Sequence, residues 1–443
     1  MKHLTIILSL ASAALTTTAS AQSQVIMRRM TMEEVALDKL LDPATLFTQT
    51  KADFMKAAAP LGLEWTSAAQ DSARSDRGKS KFVGQQVAES IVHFDGDKPK
   101  DATVLFFGRG DSGEISEAKF EELLKAVIES LDKLTAKKFT PRGKDTKNAV
   151  KANSVFWQTE KTLYTLEYSF TKENKSRGIP FRPEFIRLEV TPTERKNIVA
   201  SAIAASKKFD PRTQVKKEPN GDVFIPTVPM VDQGRKGYCA VATAERVMRF
   251  YGVNTDANEI AQIANSDAGG GTNPAEMIDG LKKIQNRLRF KIHPVIEPNE
   301  KDFNKLIEDY NKAAKRLKEK ELPDPKKFMV FWSAYSSMER KILKEVKTKD
   351  VAGYTKFLRV VSQNIEQGVP LAWGVQLGIV PEPNIPQGAG GHMRLIIGYN
   401  TKTNELIFSD SWGAGHEKKR MPLDDAWSIT TGLVTIEPLQ GGT

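Results

Sequence analysis

The stretch that decides the fold of this chain is Val231-Asp232-Gln233-Gly234-Arg235-Lys236-Gly237-Tyr238-Cys239, which runs directly into residues 240–251. Apolar residues in that following segment recur at intervals of three and four, which is the period of a helix with one buried face. They are Val241, Ala244, Met248 and Tyr251. The sequence therefore predicts a glycine-containing turn that leads into a helix beginning at Cys239, and Gly252 is suited to end that helix.

Cys239 is the only cysteine in the chain. At the start of a helix the unpaired N–H groups and the helix dipole favour a thiolate over a thiol, and the thiolate is the nucleophilic form. A buried, inert thiol and an intermolecular link are the alternative interpretations of a lone cysteine. No disulfide can form within the chain, so the fold must be stabilised by its core alone.

Composition sets the broad class of protein. The chain has 443 residues, of which 40% are hydrophobic, and this length predicts two domains, each with its own core. The formal net charge is +10, but the lysines are spread over both halves and alternate with glutamates, which is typical of a solvated surface. No nucleic-acid-binding motif is present, and we expect no nucleic-acid partner.

The beginning of the sequence has the pattern of an export signal. Lys2 provides a positive charge, the segment 4–15 is apolar, and Ala19-Ser20-Ala21 fits a small-x-small cleavage site. The pattern predicts a signal peptide at 1–21, a mature protein beginning near Gln22, and a periplasmic or extracellular location. An uncleaved membrane anchor is the alternative. No later apolar run is long enough to span a bilayer.

The remaining chain divides into two predicted α+β domains. Residues 22–208 form a smaller N-terminal α+β domain with several strands and an amphipathic helix, and they contain no motif that indicates chemistry. A charged segment rich in turn residues, 209–222, is the predicted linker. Residues 223–443 form the second domain, with a Lys-rich helical insertion at about 298–350.

The last hundred residues contain candidate partners for Cys239. His392 begins an apolar strand and Asp410 ends the next one, and the turn composition of residues 400–404 predicts a hairpin between them. With its midpoint at or beside Thr401, the hairpin places His392 and Asp410 opposite or nearly opposite each other on one face. A carboxylate in this position orients an imidazole and stabilises its protonated form. His416 also lies nearby, but its surroundings indicate a loop.

These motifs together resemble the papain-like cysteine peptidases. The resemblance rests on Asp232-Gln233-Gly234, Gly237-Tyr238-Cys239, Gly391-His392 with the following strand, and Asp410-Ser411-Trp412-Gly413, and it extends over about 225–438. Ala240 stands where papain has tryptophan, and Asp410 stands where papain has asparagine. The chain is therefore more similar to the bacterial branch that includes the double-glycine leader peptidases of bacteriocin export.

The resemblance implies a fold and a site. The second domain would be papain-like, with an N-terminal helix carrying Cys239 packed on an antiparallel sheet carrying His392 and Asp410. Cys239 would be the nucleophile of a thioester mechanism, with Gln233 in the oxyanion hole and Asp410 orienting His392. No metal or cofactor is implied, and the partner would be a peptide or protein substrate. Trp412 would cover the His–Asp bond and border the substrate.

A glycine-rich loop offers a second candidate contact for a substrate. Gly270 and Gly271 have no side chains, so the backbone of that loop could approach a bound peptide closely. A flexible helix cap is an equally good interpretation of these glycines.

Three questions stay open at the level of sequence. The same constellation could serve an amidase or transpeptidase acting on cell-wall or amine substrates, because nucleophiles other than water can capture an acyl-enzyme. A catalytically inactive binding module is a further alternative. The N-terminal domain could be a pro-region that inhibits the cleft or a module that recruits substrate.

Overall fold

The structure, a computed structural model, describes residues 35–42, 44–75, 80–144, 152–193, 209–234, 237–253, 257–264, 278–279, 281–283, 285–286, 290–297, 300–323 and 334–438. The predicted signal peptide at 1–21 and the glycines Gly270 and Gly271 lie outside the described residues.

The described chain is a mixed α/β structure with two eight-stranded antiparallel sheets. The first sheet contains strands from the N-terminal half. In spatial order these are β2 (Glu64–Trp65), β3 (Ser72–Arg74), β6 (Glu89–Asp95), β7 (Lys98–Gly108), β11 (Arg182–Pro192), β10 (Thr162–Thr171), β9 (Asn153–Gln158) and β8 (Thr140–Lys144). Three shorter strands form a separate small sheet, namely β1 (Val35–Ala36), β4 (Ser80–Phe82) and β5 (Gln85–Val87).

Three helices accompany the first sheet, namely α1 (Lys51–Ala58), the short α2 (Arg109–Ser112) and α3 (Glu117–Thr135). The long helix α3 begins where the side chain of Ser116 accepts a hydrogen bond from the Lys119 N–H, which satisfies one of the free donors at its start. Its apolar residues, spaced as the sequence predicts, pack α3 against β9 and β11.

The second sheet consists of strands from the C-terminal half. Its main path is β12 (Lys216–Lys217), β13 (Asp222–Phe224), β16 (Gly390–Asn400), β15 (Leu371–Leu377), β19 (Thr430–Pro438) and β14 (Phe290–Ile296). Two further strands, β17 (Glu405–Ser409) and β18 (Lys419–Pro422), extend from β16. The segment predicted as a linker, 209–222, therefore supplies one short strand and the first residue of another.

Six helices in this half have both ends among the residues described. They are α4 (Cys239–Phe250), α5 (Ala257–Ile263), α6 (Glu300–Leu317), α7 (Arg340–Lys349), α8 (Val351–Glu366) and α9 (Leu423–Ile429). The region predicted as a Lys-rich insertion contains α6 and α7, which pack against each other, and α7 also packs against α9. Helix α4 packs across β15, β16 and β19, at the centre of the second sheet.

The buried apolar residues form two main clusters, one within 37–190 and the other within 224–436. Polar contacts connect the two halves. The guanidinium of Arg187 in β11 lies 3.2 Å from the Glu259 carboxylate in α5, and the Ser169 hydroxyl lies 3.0 Å from the Gln262 side-chain oxygen. The first sheet is thus held against the second half through charged and polar side chains.

Candidate active site

Cys239 is the first residue of α4, as the sequence predicts. The preceding residue, Tyr238, is buried and has the non-helical backbone conformation of a cap, so the helix starts at the cysteine. Gly252 adopts a left-handed conformation (φ 78°) just after the helix, where its N–H binds the Arg249 carbonyl at 2.9 Å. Cys239 itself is partly exposed, at the edge of the core that α4 forms with the second sheet.

His392 and Asp410 are joined by a hydrogen bond across the β16–β17 hairpin. His392 Nε2 and Asp410 Oδ1 are 3.1 Å apart, and both side chains are buried. The two residues are diagonal rather than directly opposite, because Leu395 pairs with Ser409 and this register places Asp410 beside Arg394. The turn is centred later than Thr401, and a bulge between Ile396 and Gly398 also shifts the register. The side chains still share a face because residues 392 and 394 have the same parity.

Cys239 and His392 shift each other's pKa in opposite directions. Burial raises the pKa of the Cys239 thiol, but the His392 ring and its charge outweigh this and bring the pKa below its ordinary value. Burial lowers the pKa of His392, whereas Asp410 and Cys239 together raise it above its ordinary value. Backbone groups of Met393 and Ala240 also hydrogen-bond to the sulfur and favour its anionic form. The two pKa shifts together favour the charged forms of the sulfur and the imidazole.

Asp410 is held as an anion by two cationic side chains. Burial alone would raise its pKa, but His392, Arg394 and Lys419 lower the pKa far below its usual range. Arg394 Nε donates to Asp410 Oδ1 at 2.8 Å, and Lys419 Nζ donates to Oδ2 at 3.2 Å. The other two nitrogens of Arg394 each donate to an oxygen of Glu382 at 2.9 Å. This paired geometry fixes the guanidinium and, through it, the carboxylate that faces His392.

Arg246 connects the cysteine helix to the strand that ends at Asp410. It lies in α4 and is fully buried, and burial lowers the pKa of Arg246 to about 10. Its guanidinium donates to the backbone carbonyls of Pro229, at 2.8 Å, and Asp410, at 3.0 Å. It also donates to the Ser409 hydroxyl at 2.5 Å. The helix carrying Cys239 and the loop carrying Asp410 are therefore held in one arrangement by a single side chain.

Gln233 is fixed by Ser411, the residue after Asp410. The Ser411 hydroxyl donates to Gln233 Oε1 at 2.6 Å, and the Gln233 backbone N–H donates to the Ser411 carbonyl at 2.8 Å. Because Oε1 accepts the Ser411 bond, the NH₂ end of the amide is directed away from Ser411. The turn that carries Gln233 is thus attached to the loop that carries Asp410.

Trp412 lies flat against the imidazole of His392. The two rings are stacked with centroids 4.3 Å apart and an angle of 11° between their planes. This stacking covers one face of the imidazole and limits its rotation. The His416 ring meets the Trp412 ring edge-on, with the two centroids 5.6 Å apart. His416 lies in a loop, as the sequence predicts. The geometry brings together Cys239, His392, Asp410, Gln233 and Trp412.

Sequence reasoning missed the charged side chains that surround His392 and Asp410. Arg394 could have been found, because it lies two residues after His392 in one strand and so shares its face. Arg246, Lys419 and Glu382 had no comparable signal, since each reaches the site from a different segment.

Within the described residues no group of three or more His, Cys, Asp and Glu side chains is placed to bind a metal. No helix in that part of the chain is both long and apolar enough to cross a membrane.

Comparison with known proteins gives a family match. Residues 296–433 match the model of the Peptidase_C39 like family, which is about a third of the chain. The matched region includes His392 and Asp410 and begins after Cys239. The match supports a cysteine-type peptidase and confirms the resemblance to the double-glycine leader peptidases. No curated protein matches the sequence.

Two solved structures are similar to parts of the chain. The first is the peptidase domain of Streptococcus ComA, a bifunctional ABC transporter of a quorum-sensing pathway, at 14% identity, with 48% of this chain and 99% of that chain covered and a TM-score of 0.24. The second is xylellain, a cysteine protease from Xylella fastidiosa, at 16% identity, with 52% and 89% covered and a TM-score of 0.26.

Proposed function

We propose that this protein hydrolyses peptide bonds through a thioester on Cys239. The observation that carries the proposal is the position of His392 between Cys239 and Asp410, with the pKa of the thiol lowered and that of the imidazole raised. Shifts in these opposite directions favour an ion pair of thiolate and imidazolium over the neutral thiol and imidazole. Such a pair supplies a nucleophile and a general acid at one place.

The reaction begins when the Cys239 thiolate attacks the carbonyl carbon of the scissile bond. The oxyanion that forms is stabilised by the Cys239 N–H and the Gln233 side-chain amide. His392 gives its proton to the leaving amine as the C–N bond breaks, which leaves a thioester and a neutral imidazole. Water then attacks the thioester, His392 accepts its proton, and the acid product leaves with the thiolate restored.

Asp410 orients the ring throughout this cycle. Its bond to Nε2 leaves Nδ1 as the ring nitrogen for proton transfer with the sulfur and stabilises the imidazolium that forms in each half-reaction. Trp412 keeps the ring in this plane by stacking on it. The packing of α4 on the second sheet supports the proposed papain-like arrangement of the second half.

A covalent probe tests this function. The full chain is incubated with an electrophilic peptide epoxide, and the adduct is mapped by mass spectrometry while hydrolysis of a peptide library is followed. We expect one adduct on Cys239 and hydrolysis that is lost in Cys239→Ala and His392→Ala. His416→Ala is the matched control and should keep both activities, because its ring contacts Trp412 and not the sulfur. Absence of an adduct in the folded, reduced protein would favour a binding module.

The same assay separates hydrolysis from transfer. Muropeptides and an added amine are offered together with the peptides, and the products are identified by mass. Free acids as the main product support a peptidase. Amide products or cleavage restricted to wall cross-links would instead support an amidase or transpeptidase, which the same thioester permits.

The leader-like residues 1–21 lead us to propose that the protein is exported. Such a segment is removed when a signal peptidase cuts after the small-x-small site. The N-terminus of the protein recovered from the periplasm or the medium should then be at or near Gln22. Recovery of the uncut chain from the cytoplasm alone would contradict export.

A further inference from the structure

Arg74, at the end of β3 in the first sheet, reaches the turn that carries Gln233. Its guanidinium nitrogen Nη1 donates to the Asp232 carbonyl at 3.2 Å and lies 3.2 Å from the Asp232 carboxylate. The guanidinium also forms an ion pair with Glu89 in β6 of the same sheet. Only 8% of the Arg74 side chain is exposed, so this pairing takes place largely out of water. Removing a buried cation of this kind is costly, because its carboxylate partners would stay buried without a compensating charge.

Asp232 connects Arg74 to the turn that holds Gln233. One carboxylate oxygen of Asp232 faces Arg74, and the other accepts the Gly234 N–H at 2.7 Å. Gly234 has a left-handed conformation (φ 64°), which a side chain would disfavour, so the turn depends on both this glycine and the Asp232 bond. Gln233 lies between these two residues. Its position therefore depends on Arg74 on one side and on Ser411 on the other.

Other contacts from the N-terminal half, from α2 and from the loop between β2 and β3, reach the segments beside Cys239 and Asp410. The backbone of Gly110 lies directly against the hydroxyl end of Tyr238, the residue before the cysteine. The Ala68 N–H donates to the Glu417 carboxylate at 2.6 Å, in the loop that follows Asp410. These contacts are to the segments that carry the site residues, and none of them is to the sulfur or the imidazole.

We propose that the first sheet is a permanent part of the active site, and that Arg74 is a positioning residue that acts through Asp232 on Gln233. This inference rests on the oxyanion role of Gln233 in the proposed function. It assigns the N-terminal half a role opposite to that of an inhibitory pro-region: loosening its contacts slows acylation and does not release a blocked cleft.

Two reactions of Cys239 distinguish these roles. Acylation by p-nitrophenyl acetate forms a thioester, passes through an oxyanion and releases nitrophenolate. Alkylation by iodoacetamide forms a C–S bond as iodide leaves, and no oxyanion appears. Both need the thiolate, but only acylation needs Gln233. The ratio of the two rates therefore reports on the oxyanion site and is independent of peptide hydrolysis.

The test measures both rates in the full chain carrying Arg74→Met, Arg74→Lys or Asp232→Asn. Since loss of one oxyanion donor slows a reaction by about 10²–10³-fold, its misplacement in Arg74→Met should slow acylation by about tenfold. Alkylation should stay within about twofold of the wild-type rate, because the Cys239–His392 pair is untouched. Arg74→Lys should recover part of the loss. Asp232→Asn, which keeps an acceptor for Gly234, gives a second measurement should Arg74→Met fail to fold.

Arg187→Met is the matched control. It also breaks an ion pair between the two halves, with Glu259, but it does not contact the Gln233 turn. Both rates should match the wild type. In a Gln233→Ala background, Arg74→Met should have no further effect on acylation, because the amide that Arg74 positions is already absent.

Several outcomes would overturn the proposal. Acylation equal to the wild type would show that Arg74 does not position Gln233, and an equal fall in both rates would indicate general loosening. A rise in both rates would identify the first sheet as an inhibitory cover. Failure of the wild-type chain to hydrolyse any peptide would count against the proposed function alone, because the ester reaction is measured separately.

Discussion

At the scale of single residues, the chemistry depends on how buried charges compensate one another. Burial raises the pKa of the Cys239 thiol and lowers that of the His392 imidazole, so each group alone would be neutral. Together they reverse both shifts, because the charge of each stabilises the other. Asp410, which Arg394 and Lys419 keep anionic, adds to the stabilisation of the imidazolium.

This pairing predicts the pH dependence of cysteine reactivity. The rate of alkylation by iodoacetamide follows the thiolate, so its midpoint should lie below the ordinary thiol pKa of about 8.5. In His392→Asn the ring and its charge no longer oppose the raising effect of burial, so the midpoint should move above that of the wild type. His416→Asn is the control and should keep the wild-type midpoint. Equal midpoints in all three proteins would show that His392 does not stabilise the thiolate.

Arg394→Gln should destabilise the protein strongly at neutral pH. It leaves Asp410 and Glu382 with Lys419 as their shared cation, and breaking a buried pair of this kind costs about 3–5 kcal/mol. The folded-state pKa of Asp410 is depressed, so its charge contributes stability above the ordinary carboxyl pKa, and that contribution is lost as the pH falls through the folded-state value. In the variant the pKa of Asp410 rises, so Asp410 takes up a proton at a higher pH than in the wild type. Protonation removes the cost of the uncompensated charge.

Urea unfolding at pH 7 and near pH 4 measures this effect. The difference in unfolding free energy between wild type and Arg394→Gln should shrink at the lower pH. The exposed pair Arg316–Glu345 provides the control, since Arg316→Gln should cost no more than about 1 kcal/mol. A loss of unfolding free energy in Arg394→Gln that is small and independent of pH would contradict the role given to the Arg394 guanidinium.

At the scale of elements, the hairpin that carries His392 depends on close backbone contact with its neighbour. Gly398 in β16 pairs with Phe224 in β13. A Cβ atom at Gly398 would overlap Phe224 and lie 2.5 Å from the Val223 carbonyl oxygen. Only a residue without a side chain allows β13 to approach β16 this closely. The same glycine lies at the bulge that sets the His392–Asp410 register.

Gly398→Ala should therefore destabilise the second sheet. The added methyl group meets backbone that cannot move independently, and such overpacking costs about 1–3 kcal/mol. Thermal unfolding monitored by circular dichroism measures the change. Gly388→Ala is the control, because a Cβ there would meet nothing within 4 Å and the backbone is not left-handed, so its stability should be unchanged. Equal melting temperatures for the two variants would rule out this explanation.

At the scale of the whole molecule, the two halves have separate apolar cores but share the surroundings of the site. Tyr238 is buried, and its hydroxyl end lies against the Gly110 backbone in the other half. The residue before Cys239 is therefore positioned by a segment more than a hundred residues earlier. The N-terminal half and the cysteine helix should respond together to a change at this contact.

Gly110→Ala tests this coupling. The new methyl group would overlap the Tyr238 hydroxyl, and because Tyr238 is buried, we expect the turn before Cys239 to shift. Acylation of Cys239 by an ester should slow, while the N-terminal strands keep their circular dichroism. A wild-type rate would mean that Tyr238 adjusts without moving the cysteine. A faster rate would instead indicate that Gly110 helps to cover the site.

The sequence by itself determined the parts of this protein that depend on local periodicity. The three- and four-residue spacing after Cys239 predicted the helix. The period of two in strands placed His392 and Asp410 on one face. Their diagonal register depended on a turn and a bulge that composition does not specify. The division at 209–222 stays a prediction. Tertiary structure alone brought Arg246, Lys419, Glu382 and Arg74 to the site. These residues meet the site across long sequence separations, and no periodic pattern encodes such contacts, because they are set by how the sheets and loops pack.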